Sequence, residues 1–91
     1  MPDATHSFGG YGPFKPLDAK TKEIFEKAIV GLYGAGYTPL IVATQIVAGA
    51  NYLYICNGQG VYPGATPYPA EVIIFEPLNG PPHVTSIKSV P

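Results

Sequence analysis

Cys56 is the only thiol in the chain, and His6 and His83 are the only imidazoles that could activate it. Thiolate catalysis needs the cysteine and its base within hydrogen-bond reach. Cys56 closes an alternating, strand-like run, His6 lies near the N-terminus and His83 in a Pro-rich turn, so no common site is indicated. A lone cysteine in such a run reads as a small packed residue. Two isolated histidines are too few for a zinc site, which takes roughly three or four ligands at readable spacing. The carboxylates Asp3, Asp18, Glu23, Glu26, Glu71 and Glu76 show no pairing that would push one pKa away from another. Gly9-Gly10-Tyr11-Gly12 lacks the strand, turn and helix of a phosphate loop. No catalytic residues, no metal and no cofactor are expected, and the chain does not read as an enzyme.

Composition narrows the field further. The 91 residues carry 5 Lys plus Arg against 6 Asp plus Glu, a net charge of -1, and are 46% hydrophobic but only 12% charged. A chain of this length buries about 60–65% of its unfolded surface. That supports one modest core, so residues 1–91 are expected to form a single domain. With no basic cluster there is neither the field nor the phosphate contacts that nucleic-acid binding requires. The longest apolar run, residues 40–47, is interrupted by Thr44 and Gln45 and is far below the roughly 20 residues of a membrane span. Residues 1–7 have no basic and apolar leader pattern. A cytoplasmic location is expected, with an exported mature chain begun by an added Met1 as the alternative. The single cysteine permits no intrachain disulfide.

The 11 Gly and 11 Pro punctuate a sequence of apolar segments. Residues 1–13 are rich in glycine and aperiodic, an arm expected to be flexible, with the residues up to Pro16 able to pair as a short strand. From Asp18 the period changes: Ile24, Phe25, Ala28, Ile29, Leu32 and Tyr33 recur at helical spacing, opposite Lys20, Lys22, Glu23, Glu26 and Lys27. This predicts an amphipathic helix over residues 18–33, capped by Asp18, supported by Glu23 and Lys27 in i,i+4 order, and stopped by Gly34 and Gly36. Residues 37–47 are β-branched and apolar on both faces, and residues 51–56 alternate Leu53 and Ile55 with Tyr52 and Tyr54. With a reversal at Ala48-Gly49-Ala50 they predict a long hairpin. Residues 57–69 read as a long surface loop. Strands over 70–76 and 84–89 flank an Asn79-Gly80 turn and predict a second hairpin. One helix packed across four or five antiparallel strands buries both apolar surfaces, which makes the class α+β.

Gln45-Ile46-Val47-Ala48-Gly49, running into Ala50-Asn51-Tyr52-Leu53-Tyr54, resembles the Gln-x-Val-x-Gly first hairpin of the cystatin superfamily and its tyrosine-bearing next strand. Gly9-Gly10, Pro16, Glu23-Ile24 and Lys27 are similar in spacing to the arm and helix of the disulfide-free stefin branch. The resemblance covers about residues 9–90. It implies a cystatin-like fold and reversible, steric inhibition of papain-like cysteine proteases by three backbone segments. These are the arm at Gly9 and Gly10, the first turn at Gln45, Ile46, Val47, Ala48 and Gly49, and the second turn at Pro77 and Leu78. It further implies a monomer that can exchange its N-terminal half with a second copy to form a domain-swapped dimer. The chain departs from the family in lacking the tryptophan often found in the second turn, as the stefin branch also does, in Gly31, Gly34 and Gly36 at the helix end, and in the Gly/Pro-rich stretch 57–69. The competing expectation is an interaction module of the same fold that binds other proteins without inhibiting a protease.

Overall fold

The computed structural model describes residues 10–30, 35–60 and 63–90. Asp18 starts the helix α1 (Ala19–Ile29): its carboxylate accepts the Thr21 N–H at 2.8 Å, and the Thr21 hydroxyl oxygen accepts the Asp18 N–H at 2.9 Å. This reciprocal capping box satisfies two donors that a helix start leaves open. The Thr21 N–H is also the main reason the Asp18 carboxyl sits below its ordinary pKa. Thr21, Ile24 and Phe25 form the buried face, and Leu17, Ala28 and Ile29 pack against the same core. Glu23 and Lys27 approach to 3.7 Å on the solvent side. The helix ends sooner than its apolar spacing suggests, because Val30 turns to φ -58°, ψ 132°. Two β-branched residues followed by Gly31 hold a final turn poorly. Leu32, Tyr33 and Gly34 lie outside the described residues.

Five strands follow one another in space as in sequence, each antiparallel to the next: β1 (Lys15–Pro16), β2 (Ala35–Val47), β3 (Gly49–Gly60), β4 (Tyr68–Glu76) and β5 (His83–Ser89). One helix on a five-stranded antiparallel sheet makes an α+β fold. The stretch 57–69, expected as a loop, is strand at both ends, with residues 57–60 in β3 and residues 68–69 in β4. Asn57 and Gly58 pair with Thr38 and Tyr37 on one side and with Pro69 and Tyr68 on the other. The Tyr68 ring lies so close over Gly58 that a Cβ there would meet its Cζ at 2.8 Å, and its hydroxyl reaches that of Tyr37 at 3.5 Å. An aromatic ring covering a strand glycine supplies the packing that the glycine lacks. Beyond it, the Gln59 Nε2 donates to the Ala65 carbonyl at 3.1 Å and Ala65 is buried, so this end of the connection is folded back on β3.

The core lies between α1 and the face of the sheet carrying Val42, Tyr52, Tyr54, Cys56, Val72 and Ile74. Tyr54 ties the two layers together: its ring meets Phe25 edge-on at 4.9 Å, and its buried hydroxyl donates to the Thr21 carbonyl at 2.6 Å. Burial holds the Tyr54 phenol far above its ordinary pKa. The helix is much shorter than the sheet. Its 11 residues span about 16 Å, whereas the 13 residues of β2 span about 43 Å. Strand ends therefore project beyond the helix. Among the described residues, no helix is long and apolar enough to cross a membrane.

Candidate functional site

In an antiparallel meander the β2–β3 and β4–β5 turns fall at the same end of the sheet. Strand β1 adds a third segment there, because it runs antiparallel to β2, so the residues before Lys15 travel back along β2 toward its turn. Gly12 donates its N–H to the Thr44 carbonyl at 2.9 Å, and Gly10 lies beside the Gln45 carboxamide, where a Cβ would stand 3.3 Å from Nε2. The arm is thus docked on β2 from Gly10 onward. Gly9 lies outside the described residues.

The first turn is very tight. Val47 pairs with Gly49, leaving Ala48 alone at the tip, and Gly49 takes φ +106°, which favours a residue without a side chain. Further back along the hairpin, Gln45 faces Asn51, whose Nδ2 donates to the Gln45 Oε1 at 2.8 Å. The Gln45 side chain therefore braces the hairpin from within. Ile46 is 79% exposed, Val47 43% and Leu78, in the second turn, 77%, while Pro77 is half-buried between the turns. Val30, Leu40, Ile41 and Ile87 are the other large apolar side chains exposed among the described residues.

The two turns also touch. A Cβ on Gly49 would overlap the Glu76 carbonyl oxygen and stand 3.1 Å from the Pro77 Cα and 3.2 Å from the Phe75 ring. The first turn can rest on the second only where there is no side chain. The sequence marks Gly49 as a turn residue, but its role as the point where the turns meet shows only in three dimensions.

Beneath the tips, on the helix side, lies a cleft of about 380 Å³ lined by Lys20, Ile46, Tyr52, Glu76, Leu78 and backbone of both turns. The Tyr52 hydroxyl makes a long hydrogen bond of 3.4 Å to the Glu76 Oε1. Burial, and then the Glu76 charge, keep the Tyr52 phenol above its ordinary pKa. Sequence reasoning misses Lys20, Tyr52 and Glu76 as site residues. Strand alternation, which puts Tyr52 and Glu76 on the helix side, is the signal that points to them. Their row lies beside Lys20 at the N-terminal end of the helix, and which strand residues meet that end is not conveyed by local period.

The residues considered for catalysis are not brought together. Cys56 is buried opposite Ala70, whereas His83 pairs with Phe75 at the other end of β4, and His6 is outside the described residues. Burial pushes the Cys56 thiol up to about 12, so it is protonated at neutral pH. Among the described residues, no three His, Cys, Asp or Glu side chains are placed to hold a metal ion.

No protein-family model, curated protein or solved structure matches the chain.

Proposed function

We propose that the chain is a reversible inhibitor of papain-like cysteine proteases, acting as a steric wedge on a cystatin-like form of the α+β fold, closest to the stefin pattern. The observation that carries this reading is the convergence of three backbone segments, Gly10–Gly12, Ile46–Gly49 and Pro77–Leu78, at one end of the sheet, with Ile46, Val47 and Leu78 exposed there. The sequence resemblance implies the same three stretches, with Gly9 and Gln45 among their residues.

The mechanics suit a wedge. Burying three large apolar side chains contributes roughly 1.5–3 kcal/mol each, and association costs about 4–15 kcal/mol. The anchors sum to about 4.5–9 kcal/mol, which falls within that cost and leaves little surplus, so main chain from the arm and both turns would supply the rest of the affinity. Preorganisation lowers the cost: the Gln45–Asn51 bond and the Gly49–Glu76 contact hold the two turns before any partner arrives. A protease binds substrate in extended form, and Ala48 at the tip of a closed hairpin cannot take that form without breaking the Val47–Gly49 pair. The wedge therefore blocks the cleft without being cut. On this reading the chain works as a monomer in the cytoplasm, where its free thiol stays reduced.

The reading is tested by competition. Binding to papain should be lost when a bulky covalent blocker fills the papain active-site cleft. Undiminished binding to the blocked enzyme would place the contact elsewhere and favour an interaction module without inhibition.

A further inference from the structure

We propose that the cleft beneath the two hairpin tips takes an amide group of the bound protease, held between the Glu76 carboxylate and the Lys20 ammonium. The inference rests on the inhibitor reading and names what the wedge recognises behind its apolar tips.

The cleft opens at the same end as the wedge, and its rim carries the exposed side chains of Ile46 and Leu78. Its lining includes one residue of each charge, Lys20 and Glu76. Among the described residues, Lys20, from the first turn of α1, has no hydrogen-bond or ion-pair partner, and the ion pairs are Glu23–Lys27 and Glu71–Lys88. Among the described residues, the Glu76 carboxylate holds only the long contact from Tyr52, so it retains acceptor capacity.

Two opposite charges that share a cleft without pairing select a neutral ligand with a donor at one end and an acceptor at the other. A carboxylate would be repelled by Glu76, and an ammonium or guanidinium by Lys20. An amide satisfies both: its N–H donates to Glu76, and its carbonyl accepts from Lys20. Seating Ile46 and Leu78 on a partner would exclude water from the cleft, and hydrogen bonds to charged groups strengthen as the surroundings dry. The amide can come from an Asn or Gln side chain or from a peptide group.

Two measurements test the proposal together. The first is the papain Kd of the wild-type chain, Glu76→Gln, Lys20→Met and the double variant. Both positions are solvent-accessible, and retained folding is checked from the amide NMR spectrum. Each single change is expected to raise Kd about threefold to tenfold, with the double variant below the product of the two. The second is NMR titration of the free chain with propionamide and with N-methylacetamide in the millimolar range. Saturable shifts at Tyr52 and Glu76, lost in Glu76→Gln, are expected. Stronger binding of propionamide identifies a side-chain amide as the natural group, and stronger binding of N-methylacetamide a peptide group. Variants within twofold of wild type on papain overturn the proposal, as does weakened papain binding without amide shifts, since the charges would then act on another group. If papain is not bound but the amide shifts appear, the inhibitor reading falls and the cleft stands as an amide site. If neither is seen, both fall.

Discussion

Gly49 rests directly on the backbone of Glu76, so that a methyl group in place of its α-hydrogen would overlap the Glu76 carbonyl oxygen. One glycine thereby does two things: it closes the first hairpin at φ +106° and lets the second hairpin lie against it. Gly64 provides the comparison, since it has φ +80° but nothing within 4 Å of its missing Cβ.

Gly64→Ala should therefore show backbone strain alone, about 1–2 kcal/mol of lost stability. Gly49→Ala should lose more, because backbone must move away from backbone, and should also displace the second turn. Papain affinity should drop at least about tenfold in Gly49→Ala, which corresponds to about 1.4 kcal/mol, and remain unchanged in Gly64→Ala. Urea unfolding and papain binding of both variants provide the check. Equal effects of the two would mean that contact between the turns contributes nothing.

Tyr54→Phe keeps the edge-on contact with Phe25 and removes the hydroxyl that donates to the Thr21 carbonyl. Stability should fall by about 0.5–1.5 kcal/mol, read as a lower urea midpoint with an unchanged slope. A neutral result would show that the bond does not hold the helix to the sheet.

Cys56 gives stability a dependence on alkaline pH. Its folded pKa is raised from 9.0 to about 12, so the unfolded thiol releases its proton first. Its contribution is complete below pH 9 and is lost as pH rises toward 12. Tyr54, raised from 10.0, acts in the same direction at higher pH. Melting temperature should be level between about pH 6 and 8 and fall from about pH 9. Cys56→Ala should melt lower at neutral pH, because packing is lost, yet with a flatter slope between about pH 9 and 10. An identical slope would show that the thiol is not its source.

Much of this architecture is legible in the sequence because it depends on local period. The helical spacing of Ile24, Phe25, Ala28 and Ile29 and the alternation from Tyr52 to Ile55 identify the layers, and Asp18 marks the helix start. The features that local period does not convey depend on distant partners. Asn57-Gly58-Gln59-Gly60 looks like loop until Tyr68 covers Gly58 and β2 pairs alongside. Apolar spacing extends the helix too far because Leu32 and Tyr33 continue it, whereas Val30 has already left the helix. The resemblance implies a partner contact for Gln45, and the bond of its side chain to Asn51 within the hairpin is a further feature that local period does not convey. The cleft at Lys20, Tyr52 and Glu76 forms where the start of the helix, just after Asp18, meets β3 and the end of β4, a meeting of residues far apart in the chain.

Removing residues 1–10 separates binding from folding. The Gly12–Thr44 bond, the Asp18 cap and both hairpins remain, so the melting temperature should barely change. Dissociation from papain should accelerate, since trimming one segment of an interface acts mainly on the off-rate. Unchanged dissociation would remove the arm from the wedge.

The most direct measurement is titration of active papain with the purified chain, following hydrolysis of a small peptide substrate. The account predicts loss of activity toward a one-to-one stoichiometry, recovery of activity on dilution, and an intact chain by mass spectrometry throughout. Full papain activity in a large excess of chain, or cleavage of the chain at Val47-Ala48-Gly49, would contradict it.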